Sequence, residues 1–255
     1  MADKKFTGLF ERLSNWLHQE TEPAAIVFRV NDIPKAFSRF TLLGQYENQE
    51  GRFVRHAALL ALPSNLPATV AVFHMGPPLV STSAALSIET DDRELFPDLA
   101  FDLRLSEEEE TLVTRWASKI ANESGPLDER RYVIRPHVNL RLNERGAVQY
   151  HRFSCAGYAI EAFRAANINL CNTENLPLIS IELLRPTYPL IDEIISRPKL
   201  RKHYGVEEDP PWPVLMPAYL FYGADHREQQ KVGSFNVPHL PAESFVSYPA
   251  ADKGS

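Results

Sequence analysis

Residues Arg152-Phe153-Ser154-Cys155-Ala156-Gly157-Tyr158-Ala159-Ile160-Glu161-Ala162-Phe163-Arg164-Ala165-Ala166 read as a compact amphipathic helix that begins at a cysteine. Cys155, Ala159, Ala162, Phe163 and Ala166 fall on one stripe, the face that such a helix lays on a core. A thiol in the first turn sits at the positive end of the helix macrodipole, beside backbone N–H groups with no partner inside the helix. Both favour the thiolate, the form that attacks carbonyl carbon. The same placement suits a plain packing cysteine, because free cysteine is among the most buried residue types. Cys171, the other cysteine of the chain, lacks the helix-start setting and reads as structural.

Working outward, strand-like stretches at 131–142 and 147–153 lead into the cysteine helix. After it come a strand over Ile179 to Leu184, a helical piece near Leu190 to Ile195 and a strand over Ala218 to Tyr222. Upstream, Ser106 followed by Glu107 to Glu110 is the start of a helix running to about Asn122, with acidic residues where the dipole prefers them. The four glutamates therefore read as a helix start and not as a metal site. Residues 52–62 and 68–76 are apolar and flank the breaker-rich Pro63-Ser64-Asn65-Leu66-Pro67, the pattern of an antiparallel hairpin. Further strands are expected at 24–30, 84–90 and 98–105, and a short helix around Pro34 to Phe40.

At the N-terminus, Phe6, Leu9, Phe10, Leu13, Trp16 and Leu17 make one apolar stripe at helical spacing. That stripe either covers the chain's own core or docks on a partner or membrane, and its polar face shows no basic bias. The organisation expected is an amphipathic helix over 1–20 and a single α+β domain over 21–235 with an insertion at about 77–130. An irregular tail over 236–255 contains Pro238, Pro241 and Pro249.

The chain has 255 residues, 44% hydrophobic and 24% charged, which is ordinary globular composition with room for a large core. A net charge of −6 without a long basic tract argues against a nucleic-acid partner. No run of about eighteen apolar residues is present to span a membrane, and Met1-Ala2-Asp3-Lys4-Lys5 does not open a signal peptide. Two cysteines cannot form a disulfide framework. A cytoplasmic protein is the expectation.

A nucleophilic thiol needs a base, nearly always histidine. Of the eight histidines, His56 and His74 stand out. A hairpin symmetric about Asn65 sets them directly opposite each other, with Cβ atoms about 5 Å apart. Alternation then puts His74 on the face of Val70 and Val72, and His56 on that of Ala58, Leu60 and Leu62, so that both imidazoles point into the packing face. A slip of one residue would undo the pairing. His151, four positions before the thiol, and His137 are the rival bases. Taken singly, each histidine also reads as a core imidazole bonded to backbone or as a half-exposed surface residue.

The string Ser154-Cys155-Ala156-Gly157-Tyr158, continued by Phe163-Arg164-Ala165-Ala166-Asn167-Ile168-Asn169-Leu170, resembles the catalytic helix of NlpC-type papain-like cysteine hydrolases. In the usual order of that family the cysteine precedes a histidine on a strand. Here Pro217-Ala218-Tyr219-Leu220-Phe221-Tyr222-Gly223 is similar to that strand but carries no histidine. Arg55-His56-Ala57-Ala58-Leu59-Leu60 and Val72-Phe73-His74-Met75 precede the cysteine instead, which resembles the circularly permuted, lecithin retinol acyltransferase-like branch. The resemblance covers 52–76 and 152–170, and it departs from the family pattern at Ser154, where Asp or Asn is usual.

What the resemblance implies is a permuted papain-like α+β fold, an antiparallel sheet packed on the cysteine-bearing helix. Cys155 would be the nucleophile, His56 the general base and His74 the residue that orients it. The implied chemistry is that of a thiol-dependent amidase, peptidase or acyl hydrolase acting on a peptide, amide or other acyl substrate through a covalent acyl-enzyme, with no metal or organic cofactor. The competing expectation is a non-catalytic binding or scaffold module in which Cys155 only packs.

Overall fold

A computed structural model describes residues 40–46, 53–61, 71–74, 84–85, 99–103, 105–121, 123 and 131–229. The helix expected over 6–17, the strand over 24–30, most of the helix near 34–40 and the tail over 236–255 lie outside these residues. The elements are β1 (Phe40–Tyr46), β2 (Val54–Ala61), β3 (Ala71–His74), β4 (Ala84–Ala85), β5 (Leu99–Asp102), α1 (Glu107–Ala121), β6 (Val138–Leu142) and β7 (Val148–Phe153). There follow α2 (Cys155–Arg164), β8 (Leu178–Ile179), α3 (Ile181–Leu184), α4 (Ile191–Ser196), α5 (Pro198–Tyr204), β9 (Trp212–Pro213) and α6 (Pro217–Gln229).

Five strands form an antiparallel sheet in the order β4-β3-β2-β1-β5, with β2 at its centre. The stretch 77–130, read from sequence as an insertion, contributes β4 and β5 to the two edges of this sheet and α1 to the layer above it. Between β1 and β2 the register slips, Gln45 pairing with His56 but Tyr46 with Val54, so Arg55 is the extra residue of a β-bulge. The bulge explains why Val54, Ala57 and Leu59 all enter the core, each with 0% exposure, although their spacing is not strictly alternate.

The helix α2 packs on β2 and also meets α1, β7 and α6. It is buried on nearly every side, with Ala156, Ala159, Ile160, Ala162 and Phe163 all inaccessible to solvent. The run of alanines is what lets neighbours approach this closely; larger residues would hold the layers apart. On α1, Val113, Ala117 and Ile120 face the core at helical spacing. Trp116 closes the gap to the hairpin, packing on Phe153 (5.7 Å) and Tyr158 (5.3 Å) between ring centroids. The α1 start is a capping box, Ser106 Oγ accepting from Glu109 N–H (3.2 Å) and Glu109 Oε2 from Ser106 N–H (2.9 Å).

Three expectations need correction. The apolar run after Pro217 is not a strand but the first turns of α6, with proline at the first helical position. The run 179–184 divides into the two-residue strand β8 and the single-turn helix α3. In the β2–β3 hairpin His74 pairs with Ala58, while position 56 pairs across β1 with Gln45. The two histidines are thus diagonal and not directly opposite, a displacement of two residues. Since the core takes Val54, Ala57 and Leu59, the half-buried His56 alternates onto the other face, not the packing face.

Candidate functional site around Cys155

The start of α2 is held by two devices. Ser154 caps it, its Oγ accepting from the Gly157 N–H (3.0 Å), in the role that an aspartate or asparagine plays equally well. The backbone of residue 137 anchors it: Ser154 N–H donates to the His137 carbonyl (3.1 Å). Gly157 packs on that same carbonyl so closely that any Cβ there would clash. These contacts fix where the next side chain, Cys155, can point.

Cys155 points at β2. The Ala57 N–H, the Tyr132 hydroxyl and the N–H groups of Ala156 and of Cys155 itself lie near enough to act on its sulfur, each favouring the ionised form. Burial is the largest influence on this thiol, 1% exposed, and pushes its pKa above the ordinary value; the four donors oppose that without overcoming it. At rest the group is a thiol. The dipole argument from sequence identified the donors but not the desolvation that outweighs them.

Two tyrosines complete the surroundings. Tyr132, 1% exposed, comes from the segment that bridges to Phe153 just before the Arg135–Pro136 bond, and its hydroxyl contacts both Cys155 and Tyr188. Tyr188, 5% exposed, lies in the turn between α3 and α4. That turn is tied to β2, since the buried Thr187 hydroxyl donates to the Val54 carbonyl (3.4 Å). Both phenols are pushed above their usual range, by burial first and then by the neighbouring phenol or thiol. Neither residue carries a local motif. Only the chain's long-range folding brings them to the thiol, and no sequence pattern could have selected them.

The histidines distribute as follows. His56 adjoins Ala57, the residue whose N–H meets the sulfur, and it follows the bulge at Arg55. His74 ends β3 one diagonal step away, a separation of about 7–8 Å between such positions. His137 serves through its carbonyl; burial lowers the pKa of its imidazole, with Glu161 opposing and Arg164 assisting. His151 is engaged elsewhere. Its Nδ1 lies 2.5 Å from Glu123 Oε1, and its backbone N–H donates to Glu123 Oε2 (2.8 Å). The same carboxylate accepts from the fully buried Arg131 (2.9 Å), so Glu123 joins α1, the 131 segment and β7. The Cys171 thiol is free, buried and pushed far up by burial, as suits a packing residue.

Among the described residues no group of three or more His, Cys, Asp and Glu side chains is arranged to hold a metal ion. No helix among them is long and apolar enough to cross a membrane. No family model, curated protein or solved structure matches this chain. The residues themselves are therefore the ground for a functional reading.

Proposed function

We propose that this chain is a thiol-dependent acyl hydrolase or acyltransferase of the permuted papain-like kind, with Cys155 as nucleophile, His56 as base and His74 as the residue that orients the base. The observation that carries the reading is the approach of the Cys155 sulfur to the Ala57 N–H, which joins the cysteine helix to the strand position next to His56. Because alternation sets the His56 imidazole on the other face of β2, its reach to the sulfur is what the His56→Ala test decides. The β-bulge at Arg55 supports it, because bulges beside a site re-aim the following side chain. So does a fold in which the cysteine helix packs on the central strand of an antiparallel sheet.

Because burial keeps the thiol protonated, the reaction this reading requires is general-base catalysis and not attack by a standing thiolate. As the sulfur–carbon bond forms, the thiol proton passes to the His56 imidazole and the carbonyl electron pair moves onto oxygen. Collapse of that adduct expels an amine, alcohol or thiol, which takes the proton from the imidazolium. Water or an acceptor then removes the acyl group from sulfur by the same steps in reverse.

The 1% exposure of Cys155 favours a second reading, a binding module in which this helix only packs. A nitrophenyl acyl ester separates the two. Under the first reading the full chain gives a burst of nitrophenolate and a stable acyl mass on Cys155. Cys155→Ala abolishes the burst and His56→Ala slows it by about 10²–10⁴-fold, while Cys171→Ala keeps it. A burst that survives Cys155→Ala, or follows Cys171, overturns the assignment in favour of the packing role.

A further inference from the structure

Of the buried polar atoms without a hydrogen-bond partner among the described residues, the Tyr188 hydroxyl is the one on which Cys155 acts. The Tyr188 hydroxyl is buried and makes no hydrogen bond of acceptable geometry, although it stands beside the Tyr132 hydroxyl, which in turn reaches the sulfur. A buried hydroxyl left without a partner costs on the order of 1–3 kcal/mol, so it persists where something else is gained by holding it there. What holds it is specific: the Tyr188 N–H donates to the Leu184 carbonyl (2.7 Å), and Thr187 ties the same turn to β2 at Val54. The hydroxyl is therefore fixed relative to the strand that carries His56 and Ala57.

We propose that Tyr188 donates its hydroxyl to the oxygen of an acyl carbonyl attacked by Cys155, and that Tyr132 is a positioning residue that orients the thiol for that attack. The inference rests on the acyl-transfer reading of Cys155. In the attack the sulfur–carbon bond forms, the carbonyl π pair becomes an oxygen lone pair, and the Tyr188 O–H hydrogen-bonds to that oxygen without giving up its proton. The hydroxyl that lacks an acceptor in the resting protein gains one as charge develops, the condition under which a donor accelerates reaction.

The test compares two reactions of the same thiol in full-length protein. Acylation by a nitrophenyl ester builds negative charge on oxygen, whereas alkylation by iodoacetamide displaces iodide at saturated carbon and builds none. Tyr188→Phe is expected to slow acylation of Cys155 by roughly 10²-fold or more, the usual effect of removing one such donor, while alkylation changes less than about twofold. Tyr132→Phe is expected to alter both rates by similar factors and to shift their pH profiles, since it acts on the sulfur. The ratio of the two rates within one variant is insensitive to partial misfolding. Tyr188→Phe acting equally on both reactions, or on neither, overturns the inference and leaves the acyl-transfer reading standing. Failure of wild-type Cys155 to be acylated at all overturns both.

Discussion

Ala57, in the centre of the sheet, presents its backbone N–H to the sulfur of Cys155, at the first position of the helix packed above it. The N–H groups of Cys155 and Ala156 come with any residue at a helix start; the Ala57 N–H and the Tyr132 hydroxyl are brought to the sulfur by the fold.

Burial raises the pKa of Cys155, Cys171, Tyr132, Tyr188 and Tyr219, the last to about 12. For an acid whose pKa is raised by folding, the stabilisation is complete below its unfolded value and is lost as pH rises through the folded one. The unfolded values are about 8.5 for thiols and 10 for phenols. Thermal unfolding followed by circular dichroism is therefore expected to be flat near neutral pH and to fall steeply from about pH 9 upward. A melting temperature that rises between pH 8 and 10 would contradict these environments.

On the acid side the decisive group is Glu123. Burial acts to raise its pKa, yet the hydrogen bonds from His151 and the charges of His151 and Arg131 bring it below the ordinary carboxylate value. A depressed carboxyl contributes stability above its unfolded pKa, near 4.3, and loses that contribution as pH falls through the folded value. Glu123→Gln leaves the fully buried Arg131 without its counter-charge. The cost expected in urea unfolding is about 3–5 kcal/mol, and the variant should lose the acid-side slope that the carboxylate creates. A cost below about 1 kcal/mol would show that Arg131 finds another partner.

Gly157 tests how tightly the helix start is seated. Alanine there drives its methyl against the His137 carbonyl, which also accepts from Ser154. Despite alanine's better helix propensity, the substitution should cost about 1–3 kcal/mol as an overpacking change. Ser154→Ala removes only the cap and should cost about 0.5–2 kcal/mol. Equilibrium denaturation of both variants provides the comparison, and a stabilised Gly157→Ala would rule out the close approach.

Local signals were legible in the chain. The capped helix after Ser106 and the helix starting at Cys155 were readable from caps and apolar spacing, and the apolar strands flanking the proline-rich loop from their composition. Their register was not. Symmetry about Asn65 is two residues away from the observed pairing, because two apolar strands can pair in more than one register with their composition unchanged. The apolar run after Pro217 was misread because a short buried helix and a buried strand look alike without periodicity. At the site, the packing of the Cys155 helix on the strand that carries His56 is an approach between segments about a hundred residues apart, which the residues alone do not fix. Tyr132, Tyr188 and the Glu123–His151 pair were not legible either, since each is assembled from segments far apart in sequence.

The central claim is that His56 takes the proton of Cys155, and the pH dependence of Cys155 acylation tests it most directly. In the wild-type chain the acylation rate should rise with pH as the general base loses its proton and level off before thiols ionise. In His56→Ala that inflection should vanish, leaving only a rise above about pH 9 from the buried thiol itself. Identical profiles for the two proteins, each rising only as the buried thiol ionises, would contradict the pairing and leave Cys155 a packing residue.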